Sequence, residues 1–243
     1  KGRALYKNRL MMLDLIANNN WKRPIYFSGG AYDDEDFLWM KNYLQLDGMT
    51  YKLVPIKTEI PKDASPLEMG GIDTDKMYAN VMKWDWGNSE SLSIYHDPET
   101  RKNSITYRSY LSRLMNQLIL EGKKEKAKNI ITLAMNKMPL EQFGYYSLLE
   151  PFAKGYYDLG ENAKAQDLLS KLILKYKENL KYYSSLTPSD QTSLAIDIIT
   201  DIERYRSLLL VMKESGDVTF YNKNKAQFNT YVSIFERFGR EKE

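Results

Sequence analysis

The chain has 243 residues, enough for one large domain or two, and either arrangement can bury a real core. Its 35 basic and 32 acidic side chains leave a net charge of +3, which argues against a dedicated nucleic-acid binder with a basic face. With no cysteine there are no disulfides, thiolate zinc sites or cysteine nucleophiles, and no apolar run reaches the ~18–20 residues needed to cross a bilayer.

In chain order, Tyr6, Leu10, Leu13 and Ala17 fall at steps of four, three and four, one stripe of an amphipathic helix over residues 3–17. Residues 24–28 read as a short strand, with Pro24 tolerated only at its start or at a sheet edge. Next comes Gly29-Gly30 and then Asp33, Asp34, Glu35 and Asp36. Strand, glycines and helix is the order of a phosphate loop, but four carboxylates at the helix start satisfy its amides themselves and repel an anion. Neither GxGxxG nor GxxxxGK[ST] is present, and the acids lack the spacing of a calcium loop. A self-capped helix over 34–46, with Phe37, Met40 and Leu44 on one side, is the expectation. Asp47-Gly48 then turns the chain into a second strand, MTYKLVPI, ending at Pro55. A loop with Pro61, Pro66 and Gly70-Gly71 leads to a helix from Asp73 to Trp84, with Asp73 or Thr74 as N-cap.

From about residue 104 the pattern is almost unbroken helix. Lys-rich stretches such as GKKEKAK are interleaved with acids and read as solvated helix faces. Aligned on Gly122 and Gly160, small residues Ala127 and Ala165 follow at plus five, and Ile131 and Leu169 four further on. Upstream, Leu111, Leu114, Met115 and Leu118 match Leu149, Phe152, Ala153 and Tyr156; Ala134 and Pro139 complete the first copy. This ladder resembles the tetratricopeptide repeat over residues 107–177. The glycines are 38 residues apart rather than the usual ~34, which places four extra residues around PLEQFGYY. A degenerate third copy around Gly216 keeps Tyr205, Leu208, Leu209 and Met212 but has Tyr221 in place of the small residue. Thr187-Pro188-Ser189-Asp190 opens one long helix to Glu214, and Thr219 to Phe238 closes the array with Phe228, Val232 and Phe235 inward. The fold expected is mainly α: a small N-terminal α/β cap (1–95) followed by a tetratricopeptide-like helical repeat domain (96–243).

Candidate chemistry is sparse. His96, the only histidine, sits in a turn with no second ligand for zinc and no triad partner. Many Asp/Glu pairs exist but no spacing singles one out for glycoside hydrolysis. No cofactor, metal or catalytic residue is assigned. The aromatics are more informative: among 19 Tyr and 4 Trp there is a knot at Trp84 and Trp86, and there are tyrosine pairs at 145–146, 156–157 and 182–183. Aromatic rings fill cores, and they also stack on sugars and partner side chains. Trp84, Trp86, Tyr145, Tyr146, Tyr157, Tyr182 and Tyr183 form the candidate interaction surface.

LMMLDLIANNNWKRPIYFSGG and LQLDGMTYKLVPIK resemble the membrane-distal tail of a family of large multi-pass proteins from Bacteroidetes-type bacteria. Those proteins are similar to protein O-mannosyltransferases. The resemblance covers residues 10–57. It implies a tail on the extracytoplasmic, periplasmic side of the inner membrane, with the catalytic acids in membrane segments outside this stretch. It also implies a scaffold role for Trp21, Pro24, Tyr26 and Phe27, with their strand joining residues 49–56 in a small sheet. The first residue is Lys and no signal peptide is visible, which fits a fragment of a longer chain. The expected function is a non-enzymatic module binding a protein partner, an acceptor protein or a glycan. A stand-alone carboxylate-based glycoside hydrolase and a cytoplasmic repeat scaffold remain the alternatives.

Overall fold

The computed structural model describes residues 6–28, 38–60 and 66–238. The acidic helix start at Asp33 to Asp36 and the pair Gly29-Gly30 lie outside them. The protein is mainly α, with a small four-stranded sheet near the N-terminus followed by helices. It divides into two compact units, residues 1–144 and 145–243.

The first unit opens with α1 (Lys7–Asn19), β1 (Tyr26–Ser28), a 3₁₀ turn (Leu38–Tyr43), β2 (Leu44–Asp47) and β3 (Thr50–Leu53). A 3₁₀ turn at Pro66–Glu68, β4 (Gly71–Ile72) and α2 (Thr74–Val81) follow, then α3 (Pro98–Leu120), α4 (Lys124–Lys137) and α5 (Leu140–Phe143). The sheet order is β1-β3-β2-β4, with β1 and β2 antiparallel to β3, and β4 parallel to β2. The expected pairing of the first strand with residues 49–56 is therefore present, and β1 is an edge strand.

The helix expected over 34–46 is corrected. Within the described residues it is a 3₁₀ turn that gives way to β2 at Leu44. The reason is pairing: Leu44-Gln45-Leu46-Asp47 alternates with period two, and Gly48 at φ +66 supplies the left-handed first position of a two-residue hairpin turn that lays it against β3. Leu44, Leu46, Tyr51 and Leu53 then all point to one buried face. On the far side of that face α2 contributes Met77 and Val81, and α3 contributes Tyr110, whose ring meets Tyr51 edge-on at 5.8 Å.

Helix α2 starts as anticipated: the Asp73 carboxylate accepts from the Lys76 amide. Helix α3 begins earlier than its apolar pattern suggests. Asp97 accepts from the amides of Glu99 and Thr100, and Pro98 occupies the first helical position. Two arginines of α3 hold irregular chain in place. Arg113 donates to the carbonyls of Leu67 (3.0 Å) and Gly70 (2.8 Å). Arg108, fully buried, donates to the carbonyls of Met138 (2.8 Å) and Gly144. Burial lowers the Arg108 pKa to about 10, so the side chain stays charged at neutral pH.

The second unit holds a 3₁₀ turn (Tyr146–Leu149), α6 (Glu150–Asp158), α7 (Asn162–Ser184), α8 (Pro188–Ser193), α9 (Ala195–Glu214) and α10 (Val218–Ile234). The pairs α6–α7 and α9–α10 pack as helix hairpins, as α3–α4 does in the first unit. Ala127 and Ala165, the small residues of the sequence ladder, are both fully buried. The long helix expected from Thr187 to Glu214 is broken at Leu194. Its N-cap is as anticipated, with Thr187 accepting from the Asp190 amide. Just before the break, the Thr192 and Ser193 hydroxyls donate back to the carbonyls of Pro188 and Ser189, competing with the helix ladder.

Candidate functional site

Two surface features stand out, both in the first unit. The first is an aromatic cleft that grows from the knot at Trp84 and Trp86. After α2 the chain turns through Gly87 and Asn88, both at positive φ, and crosses back to the start of α3. This connection is tied to the end of α4 and to α5 by polar contacts. Ser89 Oγ donates to the Lys137 carbonyl (2.8 Å), Lys137 Nζ pairs with Glu90, and Gln142 Nε2 donates to the Ser91 carbonyl (2.7 Å). The ammonium of Lys137 holds the Glu90 carboxyl below its ordinary pKa.

The result is a cleft of about 190 Å³ lined by Asp85, Trp86, Ser89, His96, Thr100, Asn103, Ser104, Tyr107, Met138 and Phe143. Trp84 is not among the lining residues but packs on two of them. Its ring meets Tyr107 edge-on at 5.5 Å and lies 5.7 Å from Trp86, while Trp86 and Tyr107 are 5.4 Å apart. His96 stacks on Phe143 at 4.5 Å, and its Nε2 lies 2.8 Å from the Ser89 carbonyl. A carbonyl only accepts, so Nε2 donates in this bond, and in the tautomer that matches it Nδ1 is an acceptor. Trp86 Nε1 is buried with no hydrogen-bond partner among the described residues.

The second feature is an apolar groove of about 380 Å³ lined by Leu13, Ile16, Trp21, Trp39, Met40, Tyr43, Leu53, Val54 and Pro55. Helix α1 buries none of its side chains, contrary to what an amphipathic stripe implies. Leu10 is 56% exposed, Met11 58% and Leu15 56%, and Trp21, Trp39 and Tyr43 are also exposed. Such a concentration of large apolar side chains departs from the scattered exposure normal on a monomer surface.

The sequence-selected aromatics have diverse fates. Trp84 and Trp86 come together as described. In the second unit, Tyr145 and Tyr146 are half-buried at the 3₁₀ turn, and Tyr182 and Tyr183 pair at 5.8 Å with Tyr182 exposed. Tyr157 is not a surface residue. It is buried, and its hydroxyl donates to Asp217 at 2.8 Å. Burial and that bond push the Tyr157 pKa up. Tyr107, Asn103, Thr100 and Phe143 were missed as site residues, because helix periodicity marks them only as positions on α3 and α5. His96 belongs to the cleft as an aromatic and acceptor wall rather than as a ligand or base.

No group of three or more His, Cys, Asp or Glu among the described residues is placed to hold a metal, and none of their helices is long and apolar enough to cross a membrane. Compared with known proteins, residues 1–76 match the family model described as TMEM260-associated domain 2. The match therefore covers the apolar groove and ends before the aromatic cleft begins. No curated protein and no solved structure matches the chain.

Proposed function

We propose that this chain is a non-catalytic interaction module that works against a membrane protein, docking on it through the apolar groove beside α1. The supporting observation is a coincidence of place. The segment matched to a domain associated with a membrane protein family is also the segment whose large apolar side chains are left uncovered. Leu10, Leu13, Trp21, Trp39 and Tyr43 have the Trp, Tyr and aliphatic character of an interface core. They are already about half buried, so covering what remains contributes on the order of 1 kcal/mol each, set against the entropy cost of association.

The resemblance to tails of O-mannosyltransferase-like proteins supports a finer version. In it the partner is the membrane part of a glycosyltransferase-like protein, the module faces the periplasm, and the helix pairs are tetratricopeptide-type repeats. A glycoside hydrolase gains no support from the cleft. Its lining holds one carboxylate, Asp85, where paired-acid hydrolysis uses two.

The test is retention on native membranes. Purified protein is expected to co-sediment with membranes of the source cells, to lose binding after the membranes are shaved with protease, and to lose it in a Leu10→Asp/Trp39→Ser variant. Equal binding to protein-free vesicles of the extracted lipids would replace the protein partner with lipid. No retention at all would remove the docking reading.

A further inference from the structure

We propose that the aromatic cleft between the 84–96 connection and α3 is a binding site for a single neutral pyranose ring. Its residues lie beyond the 1–76 match, and it is independent of the docking groove.

Size is the first consideration. At about 190 Å³ the cleft falls below the roughly 300–1,000 Å³ of drug-sized pockets, and suits one ring rather than a chain or a dinucleotide. Charge is the second. Among its described lining residues there is a carboxylate, Asp85, and no lysine or arginine. A phosphate or carboxylate ligand would meet repulsion there without a compensating cation.

Ring geometry narrows the class further. A caged quaternary ammonium needs aromatic rings held apart around an empty centre. Here Trp86 and Tyr107, the two rings of the knot that line the cleft, pack 5.4 Å apart with their planes tilted by 51°, too close to enclose a cation between them. A single aromatic ring at a cleft wall is a platform on which the C–H face of a sugar stacks.

The polar groups suit vicinal hydroxyls, which both donate and accept. Asn103 offers an amide with both capacities. His96 keeps Nδ1 as an acceptor, because Nε2 is committed to the Ser89 carbonyl. Thr100 has given its hydroxyl hydrogen to Asp97 at 2.7 Å and retains acceptor capacity. One oxygen of Asp85 accepts from the Gly87 amide at 2.9 Å, which orients the carboxylate. Trp86 contributes its ring rather than its Nε1, which is buried out of reach of solvent. The scaffold is already built, since the ties from Ser89, Glu90 and Ser91 to Lys137 and Gln142 hold the connection in place before any ligand arrives.

The experiment is saturation-transfer NMR on the whole protein with methyl pyranosides of glucose, mannose, galactose and N-acetylglucosamine. It is run beside sorbitol as an acyclic polyol and glucose 6-phosphate as an anion. At least one neutral pyranoside is expected to show saturable transfer concentrated on one ring face. Sorbitol and the phosphate should fall well behind. Trp86→Ala and Asn103→Ala should each weaken binding about tenfold. Asn103 is exposed on α3, so its variant keeps the fold even if Trp86→Ala does not. No saturable transfer up to about 100 mM, equal transfer to sorbitol, or undiminished binding in Asn103→Ala would overturn the proposal. Membrane retention of Asn103→Ala should remain at the wild-type level, so a failed cleft and a failed docking face are told apart.

Discussion

At the residue scale, Asp217 shows how one side chain can replace several weaker contacts. One carboxylate oxygen accepts from the Phe220 amide at the start of α10, and the other from Tyr157 (2.8 Å) and Gln166 (2.7 Å). Burial alone would raise its pKa, but the bonds from Gln166, Tyr157 and the Phe220 amide outweigh it and leave the pKa lowered. A carboxyl depressed by folding contributes stability that is complete above the ordinary value near 3.9 and is lost as pH falls through the depressed one. Asp217→Ala should therefore cost about 2–3 kcal/mol at pH 7, from the lost cap and two orphaned donors. Asp217→Asn should cost less at pH 7 and flatten the acid side of the stability curve. Urea titrations between neutral pH and pH 3 check both. Tyr157 is legible in the sequence as an aromatic but not as the partner of an acid 60 residues away. Arg108 hides for the same reason: its role depends on carbonyls from a different stretch of chain.

At the element scale, three helix hairpins close in the same way. Gly122, Gly160 and Gly216 have φ of +73, +77 and +78. In each, the glycine amide and the one after it reach back to carbonyls three and five residues earlier, the Schellman pattern. A Cβ at any of the three meets nothing within 4 Å, so only the left-handed backbone opposes alanine, at about 1 kcal/mol. Gly70 differs. Its φ is +73, and an added Cβ would lie 2.8 Å from the Leu44 carbonyl oxygen, so the β4–β2 pairing must shift. Gly70→Ala should cost about 3 kcal/mol or more, well beyond Gly122→Ala, in parallel thermal melts. Two of the hairpins were readable because glycine, small residue and apolar stripe recur at fixed offsets, and the third keeps the glycine and the stripe with Tyr221 in place of the small residue. Strand β2 was not, because Leu44 fits both a helical stripe with Phe37 and Met40 and a period-two run with Leu46. Only pairing with β3 decides between them. The break at Leu194 was hidden because Thr192 and Ser193 bend a helix without interrupting its apolar pattern.

At the scale of the whole molecule, most apolar stripes that periodicity marks are buried, while that of α1 is left open. Sequence periodicity marks a face as apolar but does not say whether the chain itself covers it. The cleft shows the complementary limit: Trp86, His96, Asn103 and Phe143 converge through tertiary ties, and only Trp84 and Trp86 were apparent beforehand. The central claim is that the open face of α1 belongs against a membrane protein. Its most direct measurement is site-specific photocrosslinking on native membranes, with a photoreactive residue in place of Trp39 and, as a control, in place of the exposed Leu174 of α7. A defined product with one membrane-spanning protein from Trp39 and none from Leu174 is the result expected. Crosslinks to lipid alone, or equal products from both positions, would contradict it.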